Sequence, residues 1–354
     1  MVTKPYRKHL EAAAAVAVLV LAAAWAALLA PAAAQAAPTP FVISIAMGGQ
    51  AGPDIAGSLV VWTDFRNGSA DIYARNLSTR NTFPVSRATG SQDNPSVTRT
   101  EAGGATEYVA VWVDSRYHSG SEARDILGRN ITRSTNFIAA RNARLKWYPK
   151  IVDHWVVWIE ADAAAGPYYV KARNLAARTS YLVATTKVLS SVGLGRRLVG
   201  SKTVYTAVYA AGTGNISGRD LPGGTPFAIS RDTRFEWMPE ISGNRVVWWQ
   251  AGGRVMLFNL KTHTRLFVHL GARPRVDGAL VAWDGGGQGG TFTISYTAGA
   301  DISVRDLARG VTIRIGQPDL TCLFPALSGN VVVWESGPAD RVLSHTHIYG
   351  ARLK

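Results

Sequence analysis

One phrase returns seven times in this chain, and it restricts the fold more than any other property of the sequence. It reads "IAGSLVVWTD" around Trp62, "YVAVWVDSR" at Trp112, "IVDHWVVWIE" at Trp158 and "LVGSKTVYTA" with Tyr205 in the aromatic position. It then returns as "ISGNRVVWWQ" at Trp248, "VDGALVAWDG" at Trp283 and "LSGNVVVWES" at Trp334. Successive copies lie 50, 46, 47, 43, 35 and 51 residues apart. Proline stands nine residues ahead of the aromatic in five copies, at Pro53, Pro149, Pro239, Pro274 and Pro325. Arg196 takes that place in the fourth copy, and Pro95 lies further back in the second. Self-similarity at such a period marks a repeat architecture, in which each unit buries its apolar face against its neighbours.

Each copy parses into strands. A short segment such as "PDIAG" precedes "SLVVWTDF", whose β-branched run and central tryptophan suit a buried strand. After a loop of variable length comes "DIYARNL", alternating with period two, and then "TFPVS". The third segment returns as "DILGRNI", "YVKARNL", "NISGRDL", "DISVRDL" and "HIYGARL". Four short strands per copy match one blade of a β-propeller, so the chain is expected to be all-β with seven four-stranded blades. The last copy stops at "HIYGARLK", three strands in, while "TPFVIS" at residues 39–44 stands alone before the first. The N-terminal strand is therefore expected to complete the seventh blade and close the ring, which leaves no open sheet ends.

The phrase "VVWTDFRNGSADIYARNLST" and its copies resemble the TolB-type β-propeller repeats of exported bacterial proteins. The resemblance covers the whole repeat region and implies the propeller fold. Such repeats serve scaffolds, binding modules and domains of enzymes, so the fold does not imply an activity. The chain departs from the family: its "WSPDG" turn is missing, TolB's own N-terminal α/β domain is absent, and seven blades replace six.

Ahead of the repeats, Lys4, Arg7 and Lys8 precede an apolar stretch from Ala12 to Ala30, and Ala34-Gln35-Ala36 offers small residues at a cleavage position. This reads as a secretory signal peptide over residues 1–36, followed by one propeller domain over 37–354, secreted or held outside the cytoplasm. A membrane association is expected only if the leader stays uncleaved. Cys322 is the sole cysteine, so no internal disulfide forms, and in "LTCLFPAL" it reads as a buried, inert thiol. The formal net charge of +14 points to acidic partners. Arg75, Arg129, Arg173, Arg219 and Arg305 recur at one position of the third strand, within reach of the acids one strand over, so much of the charge is architecture. Nucleic acid does not suit an exported chain.

Candidate functional residues follow from the geometry of a propeller. Loops leading into the first strand and loops joining the second to the third open on one face, where nearly all length variation lies. Trp147 in "LKWYPKI" and Trp237 in "FEWMPEI", each two residues ahead of the proline, are expected to act as aromatic anchors there. Residues after the proline are expected to line the central channel: Asp54, Ser96, Lys150, Arg197, Glu240, Arg275 and Ala326. Their signs and sizes are mixed, unlike the convergent carboxylates of a glycosidase. His345 and His347 have ligand-like spacing, with His118 on the same face, but read as ordinary loop histidines. No catalytic set, metal or cofactor is expected. The expected function is a monomeric, non-catalytic propeller binding a protein or an acidic envelope or extracellular polymer through its loop face. The alternative is a propeller enzyme, a lyase or hydrolase acting on polysaccharide.

Overall fold

The protein was described from a computed structural model covering residues 37–118, 122–212, 214–285, 300–316, 320–338 and 345–354. The leader, residues 1–36, lies outside the described residues, as does most of the long loop of the sixth repeat. Residues 38–354 form one compact unit. Among the described residues it is a seven-bladed β-propeller of four-stranded antiparallel sheets, with no α-helix. Blade 1 comprises Gln50–Ala56, Leu59–Asp64, Asp71–Asn76 and Thr82–Ser86, from the axis outward. Blades 2 to 6 span residues 92–140, 145–186, 193–228, 236–270 and 272–315. Innermost strands touch in cyclic order, the seventh against the first.

Closure takes the expected form. Blade 7 consists of Thr321–Ser328, Val331–Gly337, His347–Arg352 and, as its outermost strand, Phe41–Ser44. Phe41 pairs with Gly350 and Val42 with Tyr349, while Ile43 is buried in the interface with blade 1. The ends of the repeat region are thus stitched by backbone hydrogen bonds, and no blade is left with three strands.

Seven apolar clusters fill the seven gaps between blades, and each holds one of the large aromatic wedges. Trp62 sits between blades 7 and 1, Trp112 between 1 and 2, and Trp158 between 2 and 3. Trp248, Trp283 and Trp334 fill the following gaps. A broad flat ring suits this place, because twisted sheets diverge outward and leave a wedge-shaped volume to fill. The fourth blade corrects the sequence reading. Its wedge is Tyr209, not Tyr205: Tyr209 lies opposite Ser217, two residues before Arg219, just as Trp62 lies opposite Tyr73, two before Arg75. Tyr209 is buried in the cluster between blades 3 and 4, and Tyr205 only packs against its edge. The repeat slips by four residues here because the hairpin between the first two strands is long.

The acids after the wedge are framework groups. The indole N–H of Trp62 donates to Asp64 at 2.8 Å, Trp112 to Asp114 at 2.8 Å and Trp158 to Glu160 at 3.0 Å. Each carboxylate also holds an arginine from a neighbouring loop: Arg66, Arg116 and Arg144. The repeated third-strand arginines do something else. Arg173 and Arg305 donate to Ser180 and Thr312 of their own blades, at 3.4 and 3.3 Å, and the other three reach across. Arg75 donates to the carbonyl of Ile43 at 2.9 Å, Arg129 to Val85 at 3.2 Å and Arg219 to Val183 at 2.7 Å. Each acceptor lies on the outer strand of the preceding blade, so these guanidiniums staple blades together rather than neutralise acids. Cys322 is fully buried, its Sγ 3.4 Å from the Ser336 hydroxyl.

Candidate functional site: a charged cavity on the ring axis

Where the chain enters each first strand, the strand is kinked. Six of the seven innermost strands carry a bulge just ahead of the residue that follows proline. The residue before each proline takes a left-handed backbone: Gly52, Asn94, Tyr148, Met238, Arg273 and Phe324, with φ between 47° and 57°. Five of these are not glycine, and such a conformation costs roughly 1–2 kcal/mol for a residue with a Cβ. A strain repeated at one level of the ring, and spent on residues facing one space, is the kind that accompanies sites.

That space is a cavity of about 480 Å³ on the axis, opening toward the loop face, which is called the top face below. Asn94, Tyr148, Met238, Arg273 and Phe324 all line it, together with Phe65, Asp93 and Glu335. Deeper in stand Asp54 from blade 1, Lys150 from blade 3, Glu240 from blade 5 and Arg275 from blade 6. The Lys150 ammonium lies 3.1 Å from the Glu240 carboxylate, and Arg275 donates to the same oxygen. Arg275 also donates through Nε to the Pro325 carbonyl at 3.1 Å, and Asp54 accepts the Val97 amide at 3.0 Å. One network of two cations and the Glu240 carboxylate thus crosses the axis and ties blades 5, 6 and 7 to blade 3, with the Asp54 carboxylate close enough to favour both cations.

Burial shapes this network. It pushes the Lys150 ammonium down to about 7, with Arg275 adding to the push and Asp54 opposing it. Burial likewise lowers Arg275 from its ordinary value. On the wall, burial raises the Asp93 carboxyl, which among the described residues has only the Asn94 amide as a close donor, at 2.7 Å. Arg273, by contrast, is spent on structure. It forms a buried two-point bond to Asp284, at 2.6 and 2.8 Å, and its guanidinium lies 4.7 Å from the centre of the Phe324 ring.

The structure redistributes the residues expected from the sequence. Lys150, Glu240 and Arg275 meet in the cavity, with Asp54 beside them. Ser96 and Ala326 are buried in the wall behind. Arg197 does not reach the cavity; with the fourth blade shifted by four residues, Gly193 takes the channel position opposite Val208. Arg197 instead bonds Asp220 at 2.7 Å and the Thr206 hydroxyl at 2.9 Å. Trp147 and Trp237 are half-buried between blades. Trp147 packs on the cluster of blades 3 and 4 with its ring edge-on to Tyr168, and the indole N–H of Trp237 donates to the Leu189 carbonyl at 3.0 Å. The side chains that face the cavity are their immediate successors, Tyr148 and Met238, turned inward by the left-handed bulge. No sequence pattern separates them, because the columns on both sides of the repeated proline vary as freely as theirs does. Among the described residues no three His, Cys, Asp or Glu side chains gather as a metal site; His345 is exposed and His347 lies 3.4 Å from the Gln50 side chain.

The top face around the cavity is positive by construction. Asp64, Asp114 and Glu160 are almost wholly buried, whereas their partners Arg66, Arg116 and Arg144 keep 28%, 22% and 36% of their side chains in solvent. Arg141 is half exposed over Tyr117, 3.9 Å from the ring centre. These three anions are hidden and their cations shown, while Asp162, which Arg144 also bonds at 2.7 Å, is exposed.

No described protein family matches the chain, and no curated protein matches it in sequence. Its fold is that of known propellers. An oligogalacturonate lyase from Vibrio parahaemolyticus superposes with a TM-score of 0.61 at 8% identity, over 91% of this chain and 95% of that one. The propeller domain of the Trilobed protease from Pyrococcus furiosus gives 0.57 at 7% identity, over 88% and 97%. A puromycin hydrolase gives 0.58 at 12% identity over 84% of this chain, which spans about half (51%) of the hydrolase. At such identities the likeness shows the β-propeller fold. The Pyrococcus domain is described as having an open velcro topology, whereas the ring here is stitched shut by Phe41–Ser44.

Proposed function

We propose that this chain is an exported, non-catalytic propeller that binds an acidic polymer across its top face, with the axial cavity receiving part of the ligand. The observation that carries the reading is the arrangement of buried carboxylates beneath partly exposed arginines. Each guanidinium is held in place by its acid, so little side-chain freedom is lost when an anionic group arrives. Export rests on the leader, and kinship with TolB-type repeats rests on the recurring "DFRNGSADIYARNL" phrase; both belong to this proposal.

A second reading has a specific observation behind it. Lys150, lowered to about 7 beside Arg275, is chemically suited to take a proton next to a carboxylate that a guanidinium neutralises. That is the chemistry of eliminative cleavage of a uronic-acid polymer, and two structures sharing the fold are named oligogalacturonate lyases. One experiment separates the readings. Calorimetry of the protein with soluble polygalacturonate and with a neutral glucan, alongside ultraviolet detection of unsaturated ends, is expected to show salt-dependent binding to the acid polymer alone and no product. Accumulating unsaturated ends that vanish in Lys150→Met would establish the enzyme instead. Equal heats with both polymers would discard the polyanion reading.

A further inference from the structure

The face opposite the cavity carries a pattern that a top-face ligand leaves unused. In every blade the hairpin between the first and second strands opens on this bottom face, and in blades 1 to 6 so does the turn between the third and fourth. Five outer turns hold a basic side chain: Arg80, Arg133, Arg178, Lys261 and Arg309, in blades 1, 2, 3, 5 and 6. All five are exposed. Arg133 and Arg309 contact Glu107 and Asp306, but Arg80, Arg178 and Lys261 have no acidic partner among the described residues. Equivalent turns of a ring lie at one height, so these cations mark out a plane around its rim.

Two hairpins project from the same face. In blades 2 and 4 the wedge aromatic follows 17 residues after Pro95 and Val192, against nine after Pro53 in blade 1. The blade 4 hairpin ends in Leu198-Val199-Gly200-Ser201-Lys202, where Leu198 is 66% and Val199 46% exposed and Lys202 is exposed as well. Its base is fixed: the Tyr205 hydroxyl donates to Asp153 at 2.9 Å, and Arg196 bonds the same carboxylate at 3.2 Å. A rigid stalk therefore holds an apolar tip in solvent beside a ring of exposed basic side chains, three of which have no acidic partner among the described residues.

We infer that the bottom face docks on an anionic phospholipid bilayer, with the basic rim on the headgroups and Leu198 and Val199 entering the interface. Cations near an anionic leaflet attract it additively, and a short apolar insertion strengthens such contacts. The shape decides between polyanions. A linear polymer tracks a groove, whereas these charges are spread around a circumference and meet a flat surface together. Docking this way is independent of the leader, and it leaves the cavity on the opposite face open to ligand.

The test is sedimentation of the full chain with vesicles of phosphatidylcholine alone or mixed with phosphatidylglycerol. Any contribution of the leader is common to every variant. Preferential partitioning onto the anionic vesicles is expected, weakening with salt. The combined change Arg80→Glu, Arg178→Glu, Lys261→Glu should lower it by about a hundredfold. Leu198→Ser with Val199→Ser should reduce it several-fold while keeping the salt dependence. Arg141→Glu, on the top face, should leave it unaltered while weakening polygalacturonate binding, so failure here and failure of the ligand reading are distinct results. Equal partitioning onto both vesicle types would overturn the inference. So would a triple variant that binds vesicles like the parent, or one that loses only soluble polyanion.

Discussion

Blades 2 and 4 share a device and differ in a site. Both carry the long hairpin, and both use it to clasp the preceding blade with a matched arginine and tyrosine. In blade 2 the Tyr108 hydroxyl lies 3.0 Å from Ser58 Oγ, and Arg99 passes over Gly57; in blade 4 Tyr205 and Arg196 hold Asp153. At the axis they part. Blade 2 has the left-handed Asn94 ahead of Pro95 and a bulge, whereas blade 4 runs from Gly193 to Val199 in unbroken register. The clasp and the wedge are thus framework, required wherever blades meet. The bulge is separable from them, since a blade without it still closes its gaps. It serves the cavity.

The largest test of the framework is ring closure. Deleting residues 38–46 removes no complete repeat but strips the pairing with His347–Arg352, the buried Ile43 and the acceptor of Arg75. A loss of several kcal/mol is expected, a large share of a total near 5–15. Chemical denaturation that gave the parent's stability would show the ring to be held without its seam. Next in size is the wedge of blade 4. Tyr209→Ala should cost about 3–5 kcal/mol, as a large aromatic removed from a packed core, whereas Tyr205→Ala should cost about 1 kcal/mol for one hydrogen bond and partial packing. The reverse order would restore Tyr205 to the wedge.

Those two residues show what was legible in the sequence. Blade number, strand count and closure could be read because the wedge and its β-branched flanks recur in a fixed context, and the orphan strand at residues 41–44 needed a partner. Counting back from the aromatic failed in blade 4, where two tyrosines stand four residues apart and both tolerate a strand. Pairing with the third strand decides, and no local pattern encodes it. The cavity was half legible. Lys150, Glu240 and Arg275 were found because their position after proline repeats, while Arg197 was misplaced by the same slip. Tyr148 and Met238 were passed over because the choice fell on the aromatics two residues ahead of the proline, whereas the left-handed bulge turns the next residue inward.

A smaller effect tests the electrostatics of the cavity against the rest of the fold. Lys150 is near 7 folded and 10.5 as an ordinary lysine, so between these values the folded chain binds fewer protons than the unfolded one. Stability therefore rises with pH through that window, by at most about 1.4 kcal/mol per pH unit from this group. Tyr205, raised to about 12, acts in the opposite sense only above its ordinary value of 10.0. Melting temperatures between about pH 7.5 and 9.5 should rise less in Lys150→Met than in the parent. Parallel slopes would place the ammonium in ordinary solvent and remove it from the buried network.

The smallest effect returns to the two blades. Asn94 and Ser191 occupy equivalent places before Pro95 and Val192, and both line the cavity, yet only Asn94 has a positive φ, at 51°. Asparagine tolerates that conformation better than alanine does, and glycine adopts it freely. Asn94→Ala and Asn94→Gly remove the same hydrogen bond to Asp93, at 2.7 Å, so their difference isolates the backbone. Alanine is expected to be the less stable of the pair by about 1 kcal/mol, while Ser191→Ala stays within about 0.5 kcal/mol of the parent. Measured melting of the three variants checks this directly. Equal stability of the alanine and glycine variants at position 94 would mean that the bulge stores no strain. The line drawn between framework and site would then have to rest on the charges of the cavity alone.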